Sequence, residues 1–196
     1  MQNLLEKLTI TEVVQSWAMY RDIGDWERLR STVHVDATMT ATWYNGSFDG
    51  FIEAIQASWR KGSRSQHFVG STVVDLQGTK AVAQTRMSIL VRGKLGDQAV
   101  DVTSVGRFFD RVEKRQGVWR IAKRCVIYEK DRMDPVSPQA LISLEPALLE
   151  KFPEGYRHLA YLQTKAGGEV NPNLPTASGP VLDQLLTQAD AWLRAS

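Results

Sequence analysis

SQHFVGSTVVDLQGTKAVAQTRMSILVRGKLGDQAVDVTSVGRFFDRVEKRQGVWRIAKRCVIY, residues 65–128, decides the fold. Four strand-like runs divide it, at about Ser65–Leu76, Lys80–Arg92, Gln98–Glu113 and Val118–Tyr128. Their links are Gln77-Gly78-Thr79, Gly93-Lys94-Leu95-Gly96-Asp97 and Lys114-Arg115-Gln116-Gly117. Each link is short and contains glycine, as antiparallel hairpins require. The stretch therefore predicts a meander of long antiparallel strands.

Towards the N-terminus the period changes. Ile10, Val13, Val14, Trp17 and Ala18 follow helical spacing with one apolar stripe, and Asp22 continues the face that carries Ala18. Gly24 breaks this helix, and Asp25 is placed to cap a short second one through Arg30. Thr38 to Tyr44 reads as a strand ended by Asn45-Gly46. Phe51, Ile52, Ile55 and Trp59 then mark a third helix. Helices followed by a strand meander predict an α+β domain, with helices on one face of a curved sheet.

Asp134-Pro135-Val136-Ser137-Pro138 closes that unit, so the expected division is a pocket-bearing domain over residues 1–134 and a helical C-terminal extension over 135–196. Within the extension, Leu182, Leu185, Leu186, Ala189 and Trp192 form an amphipathic stripe after Ser178-Gly179-Pro180.

The chain has 24 Lys plus Arg against 22 Asp plus Glu in 196 residues. A net charge of +2 is too near balance for a nucleic-acid or membrane-surface protein. The basic loop Arg60 to Arg64 reads as solvated. No apolar run reaches the roughly 18 residues of a membrane span, and Met1 to Lys7 does not look like a secretory signal. The single cysteine, Cys125, excludes an internal disulfide framework. The expected location is cytoplasmic.

No Gly-x-Gly-x-x-Gly, phosphate loop or Gly-x-Ser-x-Gly elbow occurs, so neither a nucleotide fold nor the commonest esterase is indicated. His34, His67 and His158 are not spaced as metal ligands. The expectation is no metal and no cofactor. Two polar residues point inward by pattern. Asp22 follows the first apolar stripe, and His67 shares a strand face with Val69 and Val73. A buried carboxylate and a buried imidazole are costly unless they meet. If they meet, the carboxylate orients the ring and leaves a general base. Periodicity alone leaves a second reading open, in which His67 is a core histidine and Asp22 a helix-end cap.

Asp22, Asp25-Trp26-Glu27-Arg28-Leu29-Arg30, Gln66-His67-Phe68-Val69-Gly70 and Gly117-Val118-Trp119, in this order, resemble the SnoaL-like, scytalone dehydratase-like branch of the nuclear transport factor 2-like superfamily. The resemblance spans Ile10 to Asp131. It implies a cone-shaped curved sheet wrapped by N-terminal helices around one deep pocket, with Asp22 orienting His67 as the proton-moving group; Trp17 also matches. It implies a homodimer or homotrimer as well. The departures are specific. The family's tyrosine beside the aspartate is Arg21, its strand tyrosine falls at Ala41, its second histidine near Arg92, and its pocket asparagine near Phe108 or Arg107.

Arg92 and Arg107, with Arg86, are the arginines expected to supply a guanidinium for an oxyanion. Trp43 is the expected stacking surface, with Tyr20 and Tyr44 as further substrate contacts, and Tyr156 or His158 would reach the pocket if the tail folds over it. The resulting expectation is a cofactor-independent lyase acting on a small hydroxylated aromatic or cyclic compound, releasing water or formaldehyde. A double-bond isomerase or cyclase, or a non-catalytic binding or assembly module, is the alternative.

Overall fold

The computed structural model describes residues 1–195. Its elements are α1 (Gln2–Ile23), α2 (Trp26–Ser31), β1 (Val33–Ala41), β2 (Tyr44–Ser47), α3 (Phe48–Arg60), β3 (Ser65–Gln77), β4 (Lys80–Leu95), β5 (Gln98–Arg115), β6 (Val118–Pro135), α4 (Pro146–Leu149), α5 (Arg157–Lys165) and α6 (Pro180–Arg194). Among the described residues no helix is long and apolar enough to cross a membrane.

The helices begin and end where local chemistry directs. Gly24 stops α1 with φ 77°, a left-handed conformation that costs glycine nothing. The Asp25 carboxylate accepts from the Arg28 amide at 3.1 Å and caps α2. Ser47 does the same for α3, accepting from the Gly50 amide at 3.3 Å. α1 buries Ile10, Val14, Trp17 and Ala18, the stripe that the spacing predicted, and α3 buries Phe48, Phe51, Ile52 and Ile55.

The six strands form one sheet in the order β2-β1-β6-β5-β4-β3. β1 runs parallel to β6, and the other neighbours are antiparallel. The meander is longer than its apolar pattern indicates, because β4, β5 and β6 continue into polar ends that pair with one another. A register shift at Val105/Gly106 bends β5 against β6. A Cβ on Gly106 would meet the Ile127 carbonyl oxygen at 2.0 Å, so only glycine fits this bend.

The first turn corrects the sequence reading. Asn45 and Gly46 lie inside β2, paired with Thr40 and Met39, and the chain reverses at Thr42-Trp43. Long-range contacts override the local turn signal: the Thr42 amide donates to the Tyr128 hydroxyl at 3.2 Å, and the Thr42 carbonyl accepts from the Asn171 amide at 2.8 Å.

Helices also cover both faces of the sheet. α1 and α3 fill the concave side, whereas α6 lies on the convex side, with Leu182 and Ala189 against Val82, Phe109 and Ile127. Lys80 and Arg111 stand over the Trp192 ring at 5.6 and 5.2 Å and fasten the end of α6. α5 closes the open end of the concave side.

Candidate active site

A cavity of about 680 Å³ fills the concave side of the sheet, within the range of small-molecule sites. Trp17 and Arg21, one helical turn apart on α1, stand in its wall beside His67 of β3. Met39, Ala41, Trp43 and Phe51 supply an apolar wall, and Leu159, Leu162 and Gln163 of α5 form a roof.

Asp22 leaves the last turn of α1 toward β3. Its Oδ1 lies 2.7 Å from His67 Nδ1, and its Oδ2 accepts from the His67 backbone amide at 2.5 Å. One carboxylate therefore holds both the ring and the main chain of the same residue. A carboxylate only accepts, so Nδ1 carries the proton and Nε2 keeps its lone pair. The His67 side chain is only 7% exposed. Trp17 meets it edge-on at 5.8 Å, and Phe108 lies at 5.9 Å. Burial pulls its pKa below the usual 6.5; the Asp22 hydrogen bond opposes this, and the Arg21 and Arg124 charges add to the lowering. The ring is neutral at neutral pH, as a base must be.

Arg21 is the neighbouring cation. Its Nη1 lies 3.3 Å from Asp22 Oδ1 and 3.3 Å from the Ser65 carbonyl oxygen. The side chain is 11% exposed, and burial lowers its pKa against the opposing Asp22 charge. Beneath the site, Arg124 and Asp110 form a fully buried bidentate pair at 2.7 Å for each contact. The Arg124 guanidinium is flanked by the rings of Trp17 and Phe108, each at 4.1 Å. It fixes the two aromatics that flank His67.

The sequence reading named Arg21 only as the replacement for the family's tyrosine, without a role in the site, and it missed the Arg124–Asp110 pair. The signal for Arg21 was its spacing four residues after Trp17. For the pair it was the cross-strand match of Asp110 with Arg124.

The other expected residues separate. Trp43 lines the cavity and stacks on Phe51 at 5.4 Å. Arg92 reaches only the mouth, where its 65% exposed side chain pairs twice with Asp101 at 2.7 Å. Arg107 faces the convex side, because its neighbour Phe108 takes the inward position; it pairs with Glu129 at 3.1 Å and donates to Gln84 at 3.0 Å. Arg86 pairs with the same glutamate.

Tyr44 packs behind Phe51 and donates its hydroxyl to the Ser47 carbonyl at 2.8 Å. Tyr20 lies under Arg28 in a groove on another side of α1, away from the cavity. The Tyr156 hydroxyl donates to the Asn171 carbonyl at 3.0 Å, inside the tail. His158 pairs with Asp131 at 2.8 Å, and His34 bonds the Glu113 carbonyl at 2.9 Å. The three histidines thus have three separate partners.

A curved sheet closed by helices around a cavity, with an imidazole in its wall and a carboxylate holding that imidazole, is a nuclear transport factor 2-like cone. Within that class the chain belongs to the SnoaL-like domain family, which matches residues 2–125. Pea pathogenicity protein 2 of Fusarium vanettenii is 35% identical over 169 residues, covering 84% of this chain and 72% of the relative. Among solved structures, a scytalone dehydratase-like protein from Novosphingobium aromaticivorans shares the fold with a TM-score of 0.56 at 15% identity, over 74% of this chain and 94% of that one. A hexachlorocyclohexane dehydrochlorinase from Novosphingobium barchaimii does so at 0.56 and 17% identity, over 72% and 97%.

Proposed function

We propose that the cavity is the active site of a cofactor-independent lyase acting on a small hydroxylated aromatic or cyclic compound. The observation that carries this reading is His67, in the cavity wall and held through Nδ1 by Asp22, with no hydrogen bond to Nε2 among the described residues. Asp131 holds His158 in the same way to fasten α5, but His67 differs in lining the cavity, and an oriented, neutral imidazole facing a cavity is what proton transfer needs. The fold neighbours support it, since two of them are named for eliminations.

In the proposed step His67 Nε2 takes a proton from the carbon next to a carbonyl. The C–H electrons move into the ring system, and the oxygen that gains charge is held by the Arg21 guanidinium. The enolate then expels the hydroxyl on the next carbon. His67 returns its proton to that leaving oxygen, so water departs and the imidazole is regenerated. The same base acting on the hydroxyl of a hydroxymethyl group would break the C–C bond and release formaldehyde, and returning the proton to another carbon would shift a double bond. The convex face exposes Phe68 and Leu90 away from α6, which supports a homodimer or homotrimer.

The test is a mass-spectrometric screen of wild type and His67→Ala against hydroxylated aromatics and cyclic ketones in deuterated water. Loss of water or formaldehyde, or deuterium uptake, is expected in the wild type and absent from the variant. Turnover that survives in His67→Ala removes His67 as the base.

A further inference from the structure

Charge around the cavity is lopsided. Arg21, Lys61, Arg64, Arg92 and Lys94 line it, against a single acidic lining residue, Glu169. The whole chain carries an excess of only +2, so this one opening gathers a large share of the unbalanced positive charge. Arg21 belongs to α1, and the other four cations come from two elements that meet at the mouth: the loop between α3 and β3, and the end of β4.

Their pairing differs. Arg92 is neutralised by Asp101. Arg64 lies over the Trp59 ring at 3.7 Å and donates to the carbonyls of Trp59 and Ser63, each at 2.8 Å; among the described residues no carboxylate meets it. Lys61 and Lys94 make no ion pair among the described residues. Three cations without acidic partners among the described residues, one of them lying on an indole face, therefore stand at the opening of a cavity whose walls include Trp17, Met39, Trp43, Phe51 and Phe108. Low-dielectric walls focus such a field and raise the local concentration of anions. His67 and Arg21, in the wall of the same cavity, are where the reacting oxygen belongs in the proposed mechanism.

We infer that the substrate is an organic anion, a ring compound whose carboxylate stays at the mouth among Lys61, Arg64 and Lys94 while its hydroxylated ring enters toward His67. This rests on the reading of the cavity as a substrate site and adds the charge class and the orientation. Arg64 is the specific anchor, because its guanidinium is pre-positioned and offers directed donors; the two lysines act as steering charges.

The test needs no turnover. Binding of 6-hydroxy-2-naphthoate and of 6-hydroxy-2-naphthamide is measured by quenching of tryptophan fluorescence at 20 and 300 mM salt. The proteins are wild type, the double variant Lys61→Glu/Lys94→Glu, Arg64→Gln and His67→Ala. The naphthoate is expected to bind at least tenfold tighter than the amide at low salt, with a smaller margin at high salt. The margin disappears in the double variant and falls severalfold in Arg64→Gln, while amide affinity stays constant and so reports an intact cavity. Equal binding of acid and amide, no binding of either, or a preference that survives charge reversal overturns the inference. His67→Ala keeps the acid preference whether or not it has lost turnover, so failure of the lyase reading and failure of the anion reading are separable.

Discussion

At the scale of single residues, the double grip of Asp22 on His67 sets the expected behaviour. The folded pKa of His67 is lowered from 6.5, chiefly by burial. The unfolded chain therefore takes up this proton first as pH falls. The contribution to stability is complete above about pH 6.5 and is lost as pH drops from there through the folded value, at no more than about 1.4 kcal/mol per pH unit. Melting temperatures from pH 7.5 down to 5 should fall less steeply for His67→Gln than for wild type. Turnover should likewise be level at neutral pH and fail on the acid side, below pH 6.5. Asp22→Asn leaves one acceptor oxygen for two donors, the His67 amide and Nδ1, and with the oxygen on the amide it turns an N–H toward Nδ1 and favours the wrong tautomer; a rate loss of about 10²–10⁴ is expected, readable as kcat in steady-state assays once a substrate is in hand.

The sequence announced Asp22 and His67 because an aromatic-rich helix and an alternating strand each point one polar group inward. It could not announce which face of β5 is inward. Phe108 and Phe109 are both buried, one in the cavity and one beneath α6. With apolar residues on both faces, alternation carries no sign, and so Arg107 was expected where Phe108 stands.

At the scale of elements, α5 is fastened to β6 through one buried carboxylate. The buried Asp131 accepts from His158 Nδ1 at 2.8 Å and from the Leu159 amide, also at 2.8 Å. This repeats the arrangement of Asp22 and caps the first turn of α5. Leu162 then seats on Gly93, where a Cβ would come within 2.9 Å of its methyl groups. Asp131→Ala should cost about 1–3 kcal/mol and release α5 before the sheet melts. Amide exchange would show protection lost selectively over residues 157–165; uniform loss across the sheet would refute a local fastening. The strands were legible from alternation and glycine links, and the helices from their stripes and caps. The Thr42-Trp43 turn was not, because Tyr128 and Asn171, far along the chain, determine it.

At the scale of the whole molecule, the tail does two jobs on two faces. α5 completes the cavity, and α6 shields the convex patch of Val82, Phe109 and Ile127. Ending the chain after Ser178 should leave ligand affinity in the cavity unchanged while uncovering that patch. Size-exclusion chromatography would then show larger assemblies than the full chain forms. A truncated protein with the same elution volume would mean that α6 shields nothing of consequence. The amphipathic stripe of α6 was visible in the sequence, but its destination was not, since a stripe says that a helix is covered and not by which surface.

β3 is one of the two outermost strands of the sheet, and such a strand has a neighbour on one side only. A slide of one residue against β4 would turn Phe68 inward and His67 to solvent. Asp22 resists that slide because it holds a main-chain amide and a ring at once, and no other residue of β3 offers both. The proposed catalytic contact is thus also a proofreading device of assembly: a molecule that has zipped its border strand one notch off has no base, and one that has a base has zipped correctly.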